Sequence, residues 1–438
     1  MKLKTLTLLT ALLLVPLAAL HAEPDSSHPK WDIPALSKVP TLETAQEAKV
    51  EGVQSFYVEG LPFKGKATRF YAYIGFPKDV SGRVPAVVLV HGGGGTAYAA
   101  WVKYWNAKGY AAIAMDNEGQ VPVDDSKTMV VAPNSPRPKS HWQTIDSLQL
   151  AWAGGPQRTG TFQDFDLPTE DQWMYHAVAN TLRSVSLLAS RPEVDANRIG
   201  IVGISWGSVI CSVVGAVDSR LAFVVPQYIG GHLDQGNVWY ETLKKSPVSK
   251  RWDPANFYPN PQNKAQWLWI NGTNDKYGLP TMTTRSWRET GPSSWMTLLP
   301  TQGHGHLWTE TGKDAVKEIY AFADSVTTGT APLARILTTK WGADEVTLTW
   351  VAEKPVVRAQ VCYTTADIPL ITIAGETRKD WEHVKYTVDD IPLPPTTSTP
   401  NGAVQASFVL PTGLKAGFVN LIDERGLTVS CDFVDRLP

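Results

Sequence analysis

Gly203-Ile204-Ser205-Trp206-Gly207 is a G-x-S-x-G pentapeptide set between the β-branched run Arg198-Ile199-Gly200-Ile201-Val202 and the small, apolar stretch Ser208–Gly215. That context predicts strand, sharp turn and helix, with Ser205 pushed out over the C-terminal edge of a parallel sheet. A serine hydroxyl becomes a useful nucleophile only when a base takes its proton and donors hold the oxyanion that forms. The chain offers a candidate for each part. His304, in Gln302-Gly303-His304-Gly305-His306, follows a strand-like run and has glycine on both sides, which leaves room to approach a serine; His306 is the runner-up. Asp275 ends Ile270-Asn271-Gly272-Thr273-Asn274-Asp275 after the preceding strand-like run, where a carboxylate can fix the imidazole tautomer. The oxyanion donors expected are the backbone N–H of Trp206 and, from His91-Gly92-Gly93-Gly94-Gly95, those of Gly93 and Gly94.

The order Ser205, Asp275, His304, one at the end of each of three strands, is that of the α/β-hydrolase fold. A glycine run can also cradle phosphate, but this one has no Gly-Lys-Ser/Thr element and no G-x-G-x-x-G opening a helix. The nine histidines show no metal-ligand spacing with carboxylates, so neither a metal nor another cofactor is expected. Asn271-Gly272-Thr273 matches a glycosylation acceptor and is taken as a chance match within the turn.

The elements that must position these residues follow from the apolar pattern. Gln54–Val58 and Thr68–Ile74 are β-type runs, and Val84–Val90 is continuously apolar, as a strand buried on both faces should be. Tyr110–Met115, Ile199–Val202, Leu221–Pro226, Gln266–Ile270 and Trp295–Leu299 continue the series. Ala97–Lys108 has helical composition, Met174, Val178, Leu182, Val185 and Leu188 recur at helical spacing, and Lys313–Val326 closes the unit. Alternating strands and helices imply a mostly parallel, doubly wound sheet over residues 53–326. Residues 117–170 lack periodicity, which suggests a functional insertion. After the linker 327–332, short β-type runs separated by turn residues predict a small all-β sandwich over 333–438.

A formal net charge of −2 with scattered Lys and Arg gives no reason to expect nucleic acid as a partner. Lys2 and Lys4, the apolar stretch Thr5–Leu20 and the small Ala22 predict a signal peptide over residues 1–22 and a secreted or periplasmic protein. No membrane span is expected in the mature chain, and residues 23–52 are expected to form an extended surface arm. Of the three cysteines, Cys211 follows the serine turn as a small core residue; Cys362 and Cys431 lie in strand-like runs, and a bridge between them stays open. Tryptophan is abundant at 17. Trp142, Trp152, Trp239 and Trp252 fall in segments placed to shape the acyl and alcohol pockets, where flat rings can stack on sugar or aromatic groups.

His91-Gly92-Gly93-Gly94-Gly95, Asp171-Gln172-Trp173, the serine pentapeptide and Gln302–His306 together resemble the secreted bacterial acetylxylan esterase and dienelactone hydrolase-like group of α/β hydrolases, over roughly residues 50–326. The resemblance implies hydrolysis of acyl esters, often acetyl groups on polysaccharides, with Ser205, Asp275 and His304 as triad. It departs from dienelactone hydrolases proper, whose nucleophile is cysteine. The partner expected is a small-molecule or polysaccharide ester. Two other readings are a prolyl oligopeptidase-type peptidase, which would need a larger β domain than residues 23–52 can supply, and a binding protein on a degenerate hydrolase fold.

Overall fold

The computed structural model describes residues 28–123, 142–245, 247–258, 264–305, 316–399 and 402–436. The segment 1–22 and His306 lie outside the described residues. Nine strands form one mixed sheet: β1 (Leu42–Thr44), β2 (Gln54–Glu59), β3 (Arg69–Gly75), β4 (Val84–Val90), β5 (Ala111–Met115), β8 (Val194–Ile204), β9 (Phe223–Gln227), β10 (Gln266–Asn274) and β11 (Ser294–Gly303), with β6 (Gln120–Pro122) and β7 (Trp142–Thr144) pairing apart as a small ribbon. The order across the sheet is β1-β2-β3-β5-β4-β8-β9-β10-β11. From β5 to β11 every pairing is parallel, while β1, β2 and β3 add an antiparallel margin. The apolar runs account for this: β4 and β5 are buried at every residue, because helices cover both faces.

The helices are α1 (Ile33–Leu36), α2 (Ala99–Asn106), α3 (Trp173–Ala189), α4 (Trp206–Val217), α5 (Asn237–Lys245), α6 (Pro280–Glu289) and α7 (Lys317–Thr328). On α3 the expected face of Met174, Val178, Leu182, Val185 and Leu188 is buried. The N-terminal arm is less free than expected. Trp31 is buried and stacks on Tyr175 at 5.4 Å, and β1 pairs with β2, because an indole of that size gains more from burial than a solvated arm would.

Beyond α7 the pattern turns antiparallel. One sheet holds β12 (Arg335–Trp341), β13 (Glu345–Val351), β19 (Val404–Val409) and β18 (Thr397–Ser398). The other holds β17 (Thr387–Ile391), β14 (Val356–Thr364), β20 (Ala416–Asp423) and β21 (Thr428–Ser430), with β22 (Val434–Asp435) also on β20. A separate hairpin joins β15 (Leu370–Ile373) to β16 (Glu376–Lys379). All three cysteines are free and buried. The open bridge is thereby decided against: Cys362 faces Phe418 on one side of β20, and Cys431 bonds Val419 from the other. Two strand spacings, about 9.5 Å, exceed the Cα separation that a disulfide spans.

This C-terminal region covers the last strand of the main sheet. Thr297 donates through Oγ1 to the Thr428 carbonyl at 2.8 Å, and Ser430 Oγ accepts from the Leu298 N–H at 2.7 Å. An edge that would otherwise offer unpaired backbone groups is closed in this way.

Candidate active site

Ser205 stands between β8 and α4 with φ 57° and ψ −120°, a conformation that costs a non-glycine residue on the order of 1–3 kcal/mol. The surrounding glycines make the turn possible. A Cβ on Gly203 would sit 2.0 Å from the Gly207 carbonyl oxygen, and one on Gly207 would sit 2.0 Å from that of Val90. The strain therefore has a geometric use: it lifts the hydroxyl clear of the sheet and starts α4 at Trp206, whose N–H has no acceptor within the helix.

Three strand ends then meet. Ser205 Oγ lies 2.9 Å from His304 Nε2, and His304 Nδ1 lies 2.7 Å from Asp275 Oδ2. Asp275 is fully buried, and its Oδ1 accepts the N–H groups of Tyr277 at 2.7 Å and Gly278 at 3.1 Å. Those bonds leave Oδ2 to the imidazole and fix its direction. The His304 side chain keeps 19% of its surface exposed, enough to meet a ligand from solvent. Tyr277 and Tyr228 flank its ring, with centroids at 4.5 Å and 5.5 Å. Asn271 is buried in β10 and donates to the Gly278 carbonyl and Thr283 Oγ1, which supports the view of its glycosylation pattern as a chance match.

The glycine run follows β4. A Cβ on Gly92 would lie 2.9 Å from Ser205 Cβ, so only glycine lets the loop come this close to the nucleophile candidate. Gly93 has no hydrogen-bond partner among the described residues, whereas the Gly94 N–H donates to both carboxylate oxygens of Glu118 at 3.2 Å. Of the two glycines expected to donate to an oxyanion, Gly94 is thus already engaged, and Gly93 remains. Behind the loop, buried His91 donates from Nδ1 to the Gly92 carbonyl at 2.7 Å and accepts the Asn117 N–H with Nε2 at 3.1 Å. Burial opposes charge on His91, but Asp116, 3.4 Å away, outweighs it and raises the imidazole; burial pushes the Asp116 carboxyl up as well.

The tryptophans divide. Trp239, on α5, is buried, meets the Trp206 ring edge-on at 4.8 Å and donates to the Tyr277 carbonyl at 2.7 Å, so it stands in the wall of the site. Trp152 does not. It donates to Glu43 and packs 4.6 Å from Tyr57 at the antiparallel margin of the sheet. Four strand spacings, about 19 Å, separate β2 from β8, so the pocket role expected of Trp152 is corrected to packing. Trp142 pairs opposite Pro122 in the β6–β7 ribbon. Trp252 is fully buried and donates to Gln172, a packing role. The Asp171-Gln172-Trp173 motif anchors the insertion: Gln172 donates to the Leu167 carbonyl, and Trp173 donates to that of Asn117 while meeting Trp206 at 5.3 Å.

Several neighbours carry no signal in the sequence. Glu118 and Arg158 form an ion pair at 2.6 Å beside the glycine run. The hairpin β15–β16 reaches the site wall from the C-terminal region. Arg378 donates to Asn237 Oδ1 at 3.0 Å and to the Gln235 carbonyl at 2.6 Å, and its guanidinium covers Tyr240 at 3.9 Å. Asn274, next to Asp275, donates to the carbonyls of Glu382 at 3.0 Å and Val384 at 2.8 Å. Among the described residues, Asp380, Glu382 and His383 form a cluster within ligand distance of one another, but Lys276 stands 3.7 Å from Glu382 and competes with any cation there.

Residues 32–229 match the family model described as acetyl xylan esterase. No curated protein matches the chain. Among solved structures, it is similar to acetyl xylan esterase 1 from a Thermoanaerobacterium species, 17% identical, covering 67% of this chain and 94% of that one at a TM-score of 0.46. An acetyl xylan esterase from a Paenibacillus species is 19% identical, covering 64% of this chain and 93% of that one at a TM-score of 0.46. A glucuronoyl esterase from Caldicellulosiruptor kristjansonii is 14% identical, covering 69% and 81% at a TM-score of 0.43.

Proposed function

We propose, from the match of residues 32–229 to the acetyl xylan esterase family model, that the chain is an exported serine esterase that removes acetyl-type acyl groups from carbohydrate esters. The observation that carries the mechanism is the hydrogen-bonded series Ser205–His304–Asp275 at a strained turn. Ser205 Oγ attacks the ester carbonyl as His304 Nε2 takes its proton. The oxyanion is held by the N–H groups of Trp206 and Gly93. The tetrahedral intermediate collapses, His304 returns the proton to the departing alcohol, and the acyl group remains on Ser205. Water, deprotonated by the same imidazole, then releases the acid. Asp275 holds the tautomer with Nδ1 protonated and stabilises the imidazolium of each half-reaction.

The acetyl preference rests on the family match. Export rests on the basic start, apolar run and small Ala22 of residues 1–22; no helix among the described residues is long and apolar enough to cross a membrane. The test is acid release from acetylated, feruloylated and methyl-esterified polysaccharides alongside simple acetate esters. Acetate release should dominate. A chain that cleaves methyl or feruloyl esters faster than acetyl esters is not the enzyme proposed.

A further inference from the structure

The charged pair behind the glycine run has a geometry that bears on the oxyanion site. At the end of β5, Asp116 Oδ2 accepts the N–H groups of Glu118 at 3.2 Å and Gln120 at 2.7 Å, which turns the Glu118 side chain toward the loop. There its carboxylate, 5% exposed, takes the Gly94 N–H with both oxygens and also accepts from Gln120 Nε2 at 3.2 Å. Arg158 comes from the aperiodic insertion. Its Nε donates to Glu118 Oε1 at 2.6 Å and its Nη1 to the Gly160 carbonyl at 3.1 Å. The guanidinium lies 5.5 Å from the Trp206 ring, and a Cβ on Gly93 would meet Trp206 Cδ1 at 2.4 Å and Arg158 Nη2 at 2.9 Å. The pair therefore touches both segments that carry the two expected oxyanion donors.

A bare carboxylate in this position would oppose the reaction. Negative charge develops on the substrate oxygen at the mouth of the loop, and a nearly buried anion one glycine away would raise its energy. Its hydrogen bond to Gly94 is nevertheless useful, because it ties up that N–H and holds the turn in which Gly93 has no hydrogen-bond partner among the described residues.

We propose that Glu118 and Arg158 are positioning residues for the oxyanion site: Glu118 sets the bend of the glycine turn by capturing Gly94, and Arg158 cancels the charge that this capture brings next to the reacting oxygen. The proposal rests on the acyl-enzyme reading above. It makes the two residues unequal. Losing Arg158 strands an anion, whereas losing both charges does not.

The test is steady-state hydrolysis of p-nitrophenyl acetate by the full chain, with melting curves for every variant. Arg158→Ala should lower kcat by about 10²-fold, the size seen when one oxyanion donor is lost, with KM nearly unchanged. Adding Glu118→Gln to that variant should recover roughly tenfold of the loss, since the amide oxygen still accepts from Gly94 without the charge. Arg158→Lys, which keeps the charge, should hold most of the wild-type kcat. If Arg158→Ala does not fold, Arg158→Met keeps the packing on Trp206 and takes its place. A rise in KM at constant kcat would make Arg158 a substrate-binding group and overturn the proposal. So would a double variant no better than the single one. Wild type and Ser205→Ala run beside them separate this outcome from failure of the acyl-enzyme reading, which would show as activity surviving in Ser205→Ala.

Discussion

The parallel part of the main sheet and the antiparallel sheets after α7 place side chains in different ways. In β5, β4, β8, β9, β10 and β11 the strands point one way, so their ends, and the loops that follow them, gather at one edge; Ser205, Asp275, His304 and the glycine run all lie there. In the C-terminal sheets neighbouring strands point in opposite directions, side chains alternate between core and solvent, as along β13, and no edge collects loops from every strand. What that region supplies is restraint. It closes β11 and, through Arg378 and the backbone of residues 382–384, fastens the segment bearing Trp239 and the residue before Asp275. Chemistry belongs to one region, and the rigidity of its wall comes partly from the other.

Substitutions break this division at different depths. Ser205→Ala should remove nearly all esterase activity, by on the order of 10⁶ in kcat, while the melting temperature changes little, because alanine keeps the Cβ and with it the strain of the positive φ. Asp275→Asn should cost about 10⁴ in kcat, because an amide cannot both accept from His304 and keep the Tyr277 and Gly278 N–H groups as well as a carboxylate does. Arg378→Ala leaves the triad intact but unfastens α5. It should lower stability by about 1.5–3 kcal/mol, the range for hydrogen bonds to charged groups, as denaturant unfolding would show. It should also reduce kcat/KM on bulky esters more than on p-nitrophenyl acetate. Equal losses on both would mean that the hairpin does not shape the wall.

The smallest effect concerns the seam itself. Glu318 on α7 accepts the Thr428 N–H at 2.8 Å, and burial raises its pKa above the usual carboxylate range. A raised folded value means that the protonated form is favoured on folding. Its stabilisation is complete below the ordinary glutamate pKa and is lost as pH climbs through the raised one. Glu318→Gln should therefore raise the melting temperature at neutral pH and change it little at acid pH. The opposite trend would mean that the carboxylate itself supports the seam.

How much of this was legible in the sequence depended on the kind of signal. Val84–Val90 could be read as β4 to the residue because a doubly buried strand has an unbroken apolar run. The candidate triad could be read because each member follows such a run, and Ser205 lies between glycines that the turn geometry requires. Arg158 and Glu118 could not: they stand 40 residues apart in a stretch without periodicity, and an ion pair has no sequence period. The same stretch misled the assignment of Trp152, since abundance in an insertion does not say which sheet edge the insertion reaches. The glycine run is a similar case. It shows that backbone can approach Ser205, but the capture of the Gly94 N–H by Glu118, 24 residues away, leaves no local signal.

The most direct test of the central claim is fluorophosphonate labelling of the wild-type chain, followed by tandem mass mapping and residual activity toward p-nitrophenyl acetate. One adduct on Ser205, with activity lost in proportion to labelling and no adduct in Ser205→Ala, is the result predicted. Full activity in labelled protein, or an adduct on another residue that tracks the loss, would contradict it.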